Sequence, residues 1–190
     1  MALEAFKQAK VKKIVSICPH CIRSMSVDWK EYAAKYGEAP PVEHHSEFMS
    51  RFKHLLPAPA AELEGKKIVY HDPCYLGRYR GTYDEPREVI AKFGSVVDPP
   101  RTRERSFCCG AGGGLAFLGE EKGDRVSYTR AKELMDTGAE VVGASCPFCN
   151  TMFRDALANL SPTAPKLLDI AQIAAAGLPP AVAPLAPTTS

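Results

Sequence analysis

Residues 107–114 read FCCGAGGG, two adjacent cysteines in front of a run of glycines. Neighbouring side chains on extended backbone point to opposite faces, and a disulfide between Cys108 and Cys109 would close a small, strained ring. The pair therefore answers to something outside itself. The chain holds seven cysteines: a C-x-x-C pair at Cys18 and Cys21, a lone Cys74, the vicinal Cys108 and Cys109, and a second C-x-x-C at Cys146 and Cys149. In a reducing compartment, clustered cysteines are more often metal ligands or redox groups than structural disulfides. Burial as small hydrophobes would account for one or two of them. It does not account for two C-x-x-C pairs and a C-C.

The elements that must position these thiols alternate along the chain. Short apolar runs at 12–17, 66–71, 95–98 and 140–145 read as buried strands. Helical spacing is found over 3–9, 25–37, 46–56 (Ser46 as N-cap), 85–94, 127–139, 147–160 and about 166–176. Residues 57–66 read as a linker or surface loop, and the Pro/Ala-rich 177–190 as a disordered tail. Buried strands alternating with helices predict a parallel α/β sheet. Such sheets bring the carboxyl ends of their strands, and the loops that follow, to one edge where ligands bind. Cys74, Cys146 and Cys149 all follow strands, and the last two open a helix, where exposed N–H groups favour thiolates. Gly110, Gly112, Gly113 and Gly114 let backbone pass close to the sulfurs and donate N–H groups to them.

The chain also repeats itself. KKIVSICPHC (12–21) and EVVGASCPFC (140–149) are the same construction at an offset of 128 residues. The same offset carries the counterparts of Cys74, Cys108 and Cys109 to positions before Met1. The sequence thus reads as the back half of one cysteine unit over 1–60, with an incomplete site at Cys18 and Cys21, followed by a complete unit over 61–176. A structural zinc takes four ligands, and the complete unit offers five cysteines. A vicinal pair fits poorly on one small ion but can serve two irons of a cluster. The spacing favours an iron–sulfur cluster over zinc, although ferredoxin-type clusters use four cysteines in tighter runs.

The pattern C-x(33)-C-C-x(36)-C-x-x-C, set in HDPCYLGRYRGTYDEPRE, FCCGAGGG and GAEVVGASCPFCNTMF, resembles the cysteine-rich CCG domain of the heterodisulfide reductase B subunit. Related iron–sulfur subunits of glycolate, lactate and glycerol-3-phosphate oxidoreductases share it. The resemblance spans roughly residues 11–175. It implies a Rossmann-like α/β domain with a parallel sheet and a noncubane [4Fe-4S] cluster on Cys74, Cys108, Cys109, Cys146 and Cys149. It also implies flavoprotein or ferredoxin-like electron-transfer partners, with a disulfide or, through a partner, a quinone as acceptor. The start departs from the family, and the chain reads as a C-terminal fragment of a longer oxidoreductase subunit. A structural zinc-binding interaction module and a metal-free thiol–disulfide protein are the alternatives.

Other groups weigh less. GAGGG lacks the strand-loop-helix setting of a dinucleotide loop followed by an acidic residue. His71 and Asp72, just before Cys74, are placed to hydrogen-bond the thiolate site or to fix the loop that presents it, the second being the simpler role. His20 reads as solvated or capping, His44 and His45 as surface or packing residues. Arg78, Arg80 and Arg87 either offset cluster charge or face water. The chain's 24 basic residues against 22 acidic give a net charge of +2, with no basic stripe for nucleic acid. No run approaches the roughly 18 apolar residues of a membrane span, and the N-terminus has no secretory pattern. A cytoplasmic location follows, at the cytoplasmic face of the membrane where partners anchor the chain.

Overall fold

The computed structural model describes residues 2–118 and 124–179. In chain order come α1 (Ala2–Gln8), β1 (Ile14–Ser16), α2 (Pro19–Ser26), a 3-10 turn at Asp28–Tyr32, α3 (Ala33–Tyr36), β2 (Val42–His44) and α4 (His45–Arg51). They are followed by β3 (Lys67–Tyr70), α5 (Asp84–Ile90), β4 (Ser95–Val97), α6 (Leu115–Leu118), α7 (Val126–Met135), β5 (Val141–Ala144), α8 (Pro147–Leu160), β6 (Lys166–Asp169) and α9 (Ile170–Ala175).

The strands with the most apolar sequence take the centre. Four strands pair in the order β4-β3-β5-β6, every pair parallel. Val69 lies opposite Val97 on one side and Val142 on the other. β3 and β5 are covered on both faces, as strands of a parallel sheet must be. One face packs Val69, Val142 and Ala144 against Ala131 and Leu134 of α7 and Phe153, Ala156 and Leu157 of α8. The other packs Ile68, Tyr70 and Val141 against Val89 and Ile90 of α5 and Ile170 and Ile173 of α9. Phe153 is fully buried, and truncating such a side chain costs about 3–5 kcal/mol. The arrangement is the expected Rossmann-like α/β sheet.

The internal repeat goes deeper in space than in sequence. β1 and β2 form a separate two-stranded parallel sheet, built as β5 and β6 are. Cys18 caps α2 with Pro19 behind it, and Cys146 caps α8 with Pro147 behind it. β6 ends at Asp169, which accepts from Ala171 N–H at 2.9 Å while Gln172 accepts from Asp169 N–H at 2.9 Å. β2 ends at His44, whose Nδ1 accepts from Ser46 N–H at 3.3 Å while Glu47 accepts from His44 N–H at 2.8 Å. Both are reciprocal capping boxes.

Four expectations need correction. The helix expected over 25–37 is broken into α2, a 3-10 turn and α3, and α2 starts earlier, at Pro19. The last helix is a strand followed by a short helix, because Lys166–Asp169 pairs with β5. Residues 57–66 are not merely a linker, since Leu63 is buried in the core. His44, not Ser46, caps α4, and of the surface and packing roles expected for His44 and His45 the buried, packing one holds. The expected disorder of the tail falls largely on residues 180–190, outside the described residues.

Candidate metal centre

Three loops at the carboxyl edge of the larger sheet carry the cysteines of the complete unit. The first leaves β3: His71 N–H still pairs with Gly143 O at 3.0 Å, and Cys74 then enters a turn closed by Leu76 and Gly77 N–H on Pro73 O. The second carries Cys108 and Cys109 and is tied to the first. Ser106 Oγ donates to Asp72 O at 3.1 Å, and Arg78 donates to Glu104 O at 3.0 Å and to Ser106 O. The third is the start of α8, with Cys146 at the cap and Cys149 one turn in. Cys109, Cys146 and Cys149 are buried, and Cys74 and Cys108 half-buried.

These sulfurs act on one another. The ligand atoms of His71, Cys109 and Cys149 all lie within 4.8 Å of one another. Hydrogen bonds from Cys108, Cys149 and His71 outweigh burial and hold the Cys109 thiol far below its usual range. The Cys109 thiolate and burial push Cys108 up, against the N–H groups of Gly110 and Gly112. Cys149, between Cys109 and Cys146, is pushed up by both. Cys146 is lowered to about 5, first by Cys149 and also by His20, whose Nδ1 is 3.9 Å from its sulfur. Burial raises Cys74, as does negative charge on Cys109 and Cys146. The five thiols are thus linked through one another's charge and hydrogen bonds, and ionising all of them together is opposed by their mutual repulsion unless a cation offsets it.

The glycine loop closes the site. Gly110 has φ +90° and its N–H donates to Cys108 Sγ at 3.3 Å. A Cβ there would stand 3.0 Å from Ser127 N, so only glycine lets the loop rest on the start of α7. Beside it, Ser127 Oγ is buried without a hydrogen-bond partner among the described residues. Sulfur donors in excess of their counter-charge and an orphaned hydroxyl at the loop fit a thiophilic, polyvalent metal group.

His71 faces the sulfurs, whereas Asp72 faces away. Arg87 grips both Asp72 oxygens at 2.7 and 2.9 Å, and Thr102 Oγ1 and Arg103 N–H add bonds at 3.2 and 2.8 Å. Burial would raise Asp72, but these contacts, led by Arg87, leave its carboxyl below the usual range. Asp72 thus fixes the loop. Of the three arginines, Arg87 is buried between Asp72 and Asp98, whereas Arg78 and Arg80 are exposed; Arg78 ties the two loops and its charge favours the Cys74 thiolate, and Arg80 pairs with Glu47.

Cys18 reaches the five only through charge on Cys146, and Cys21 is not brought in among them. Cys18 is half-buried and Cys21 exposed. The residue between them is brought in: His20 stacks on Tyr75 at 4.0 Å, meets Phe148 edge-on at 5.0 Å and touches Cys146. Arg130, fully buried on α7 and bonded to His71 Nδ1 at 3.3 Å, also belongs to the site. Its signal in the sequence was position: with Ser127, Ala131 and Leu134 it occupies the buried face of a helical repeat.

Residues 68–154, which include all five cysteines, match the family described as the CCG cysteine-rich domain. Over 180 residues the chain is 33% identical to an EtfAB:quinone oxidoreductase of Syntrophomonas wolfei, covering 90% of this chain and 25% of that protein. It is 36% identical over 156 residues to a probable iron-sulfur-binding oxidoreductase of Bacillus subtilis, covering 80% and 21%. It is 34% identical over 157 residues to one subunit of the dihydromethanophenazine:CoB–CoM heterodisulfide reductase of Methanosarcina mazei, covering 80% and 38%. The chain thus spans a quarter or so of the first two and little more than a third of the third. Its residues 68–154 are similar to the CCG cysteine-rich domain family.

Proposed function

We propose that the chain is the iron–sulfur part of a heterodisulfide-reductase-like oxidoreductase and works in electron transfer. The observation that carries this reading is that five thiols from three loops are linked through one another's charge and hydrogen bonds, one thiol more than a tetrahedral ion can use. Cys74, Cys108, Cys109, Cys146 and Cys149 would hold a [4Fe-4S] cluster of the noncubane type, with residues 61–176 as the complete unit. When bound, the cluster supplies one-electron chemistry and an iron able to take a sulfur ligand. The protein's part is to keep the sulfurs dry, to orient them through the loop contacts of Ser106 and Arg78, and to aim His71 and the glycine N–H groups at their charge.

The names of the relatives support partner subunits: one is an oxidoreductase acting between EtfAB and quinone, another a subunit of a heterodisulfide reductase. A flavoprotein or ferredoxin-like donor and a disulfide or quinone acceptor fit this chain as well. Among the described residues no helix is long and apolar enough to cross a membrane, and a cytoplasmic site, at the membrane face through partners, is part of the proposal. The test is iron, zinc and acid-labile sulfide, with visible absorption, on protein purified without oxygen. About four irons and four sulfides per chain are expected. Zinc without sulfide would replace the cluster by a structural module, and free thiols alone would leave a thiol–disulfide protein.

A further inference from the structure

We propose that Arg130 is a positioning residue for the cysteine site: it fixes His71 as a hydrogen-bond donor to the sulfurs, and Glu133 holds Arg130 to that task. The inference rests on the reading of this site as a cluster centre. Arg130 is fully buried, an expensive place for a guanidinium unless every bond is spoken for. It donates to Glu133 at 2.8 Å, to Arg101 O at 2.9 Å, to Ser106 Oγ at 3.4 Å and, through Nε, to His71 Nδ1 at 3.3 Å.

The last bond settles the imidazole. A guanidinium has donors and no acceptor, so Nδ1 must offer its lone pair, and the ring's one proton sits on Nε2. Phe153, edge-on to the ring at 4.7 Å and 85°, fixes its plane. A ring nitrogen lies within 4.8 Å of the Cys109 and Cys149 ligand atoms, and the His71 side chain bonds to Cys109; with Nδ1 taken by Arg130, that bond is assigned to Nε2–H. Behind Arg130, Glu133 is gripped in turn by Arg101, whose Nη2 is 3.0 Å away and whose backbone N–H donates at 3.0 Å. The chain Arg101–Glu133–Arg130–His71 ends at the thiolates and leaves the sulfurs a donor rather than a competing acceptor. A donor to sulfur favours the more negative, reduced state of the centre, because it stabilises added charge.

Two measurements test this on the full chain. Reduction potentials are compared for the wild type, Arg130→Met, His71→Leu and the double variant. Arg130→Met is expected to lower the potential, His71→Leu to lower it at least as far, and the double variant to match His71→Leu alone. An unchanged potential in Arg130→Met, or an equal further drop in the His71→Leu background, would overturn the proposal. If Arg130→Met does not fold, Glu133→Gln keeps the guanidinium but loosens it, and a smaller shift of the same sign is expected; no shift would count against the chain. Separately, histidine nitrogen NMR on folded, iron-free protein should show His71 protonated on Nε2 and bare on Nδ1. A proton on Nδ1 would sink the proposal even where a cluster binds, whereas a wild type that takes up no iron would sink the cluster reading and leave the NMR result to decide this one.

Discussion

The two Cys-Pro-x-Cys turns are built alike and behave differently. Each follows a short parallel strand, each has its first cysteine at a helix cap, and each has proline at the first helical position. Yet burial, the main cause, pushes Cys18 up to about 11, whereas Cys146 is held at about 5. Helix dipole and turn geometry are common to both, so they do not set the thiol chemistry. The neighbours do. Cys146 accepts from Cys149 and His20, whereas the sulfur of Cys18 accepts a weak 3.4 Å bond from Cys21 N–H and is raised further by the Cys21 thiol and by charge on Cys146. A cysteine motif is therefore a geometric offer, and the loops around it decide what becomes of it.

The sharpest way to break this comparison is to remove one thiol from each turn's surroundings. Cys109→Ala is expected to abolish most iron binding, and Cys18→Ala to leave it near wild type, read as iron per chain. Equal losses would make the two turns equivalent. Next in size is Gly110→Ala. It forces a side chain into φ +90° and against Ser127 N, and should cost about 1–3 kcal/mol in thermal or denaturant unfolding. The matching glycine at the surface, Gly113, has φ +63° but open space around it, so alanine there should cost less.

The contact that ties the two halves offers a pH test. His44 donates from Nε2 to Ser145 O at 3.0 Å, and burial, then His45, lowers it to about 3. Unfolded, this histidine takes a proton below about pH 6.5; folded, it does not until about 3. Its contribution is therefore complete above pH 6.5 and is lost as pH falls toward 3, with a slope approaching about 1.4 kcal/mol per pH unit. Unfolding midpoints between pH 7 and 5 should fall in the wild type and fall less in His44→Asn. Smallest is His20→Phe. It removes a secondary cause of the low Cys146 value, so ultraviolet thiolate absorbance in iron-free protein should titrate at somewhat higher pH, and by less than in Cys149→Ala.

What could be read in the sequence follows from how each signal is written. The five cysteines and the repeat stand out because cysteine is rare and Cys-Pro-x-Cys follows an apolar run. β3 and β5 are legible because strands covered on both faces are apolar throughout. β2 (VEH) and β6 (KLLD) are short edge strands with half-polar sequences, and nothing in their composition separates them from loop or helix. His44 as a cap and Arg130 as a buried cation escape for a common reason. Besides local partners, each relies on one far along the chain, Ser145 and His71, which no local window contains.

The site draws its thiols from loops separated by β4, α5 and α7, and its central strand β3 pairs with β5 only after more than half of the complete unit has been made. Such long-range pairing forms late, after the cost of closing large loops has been met. Cys74 and the vicinal pair must therefore spend time as open thiols during synthesis, before the α8 turn arrives. Oxidants and stray soft metals have their chance in that interval, and cluster delivery has to be timed to the end of folding rather than to its beginning.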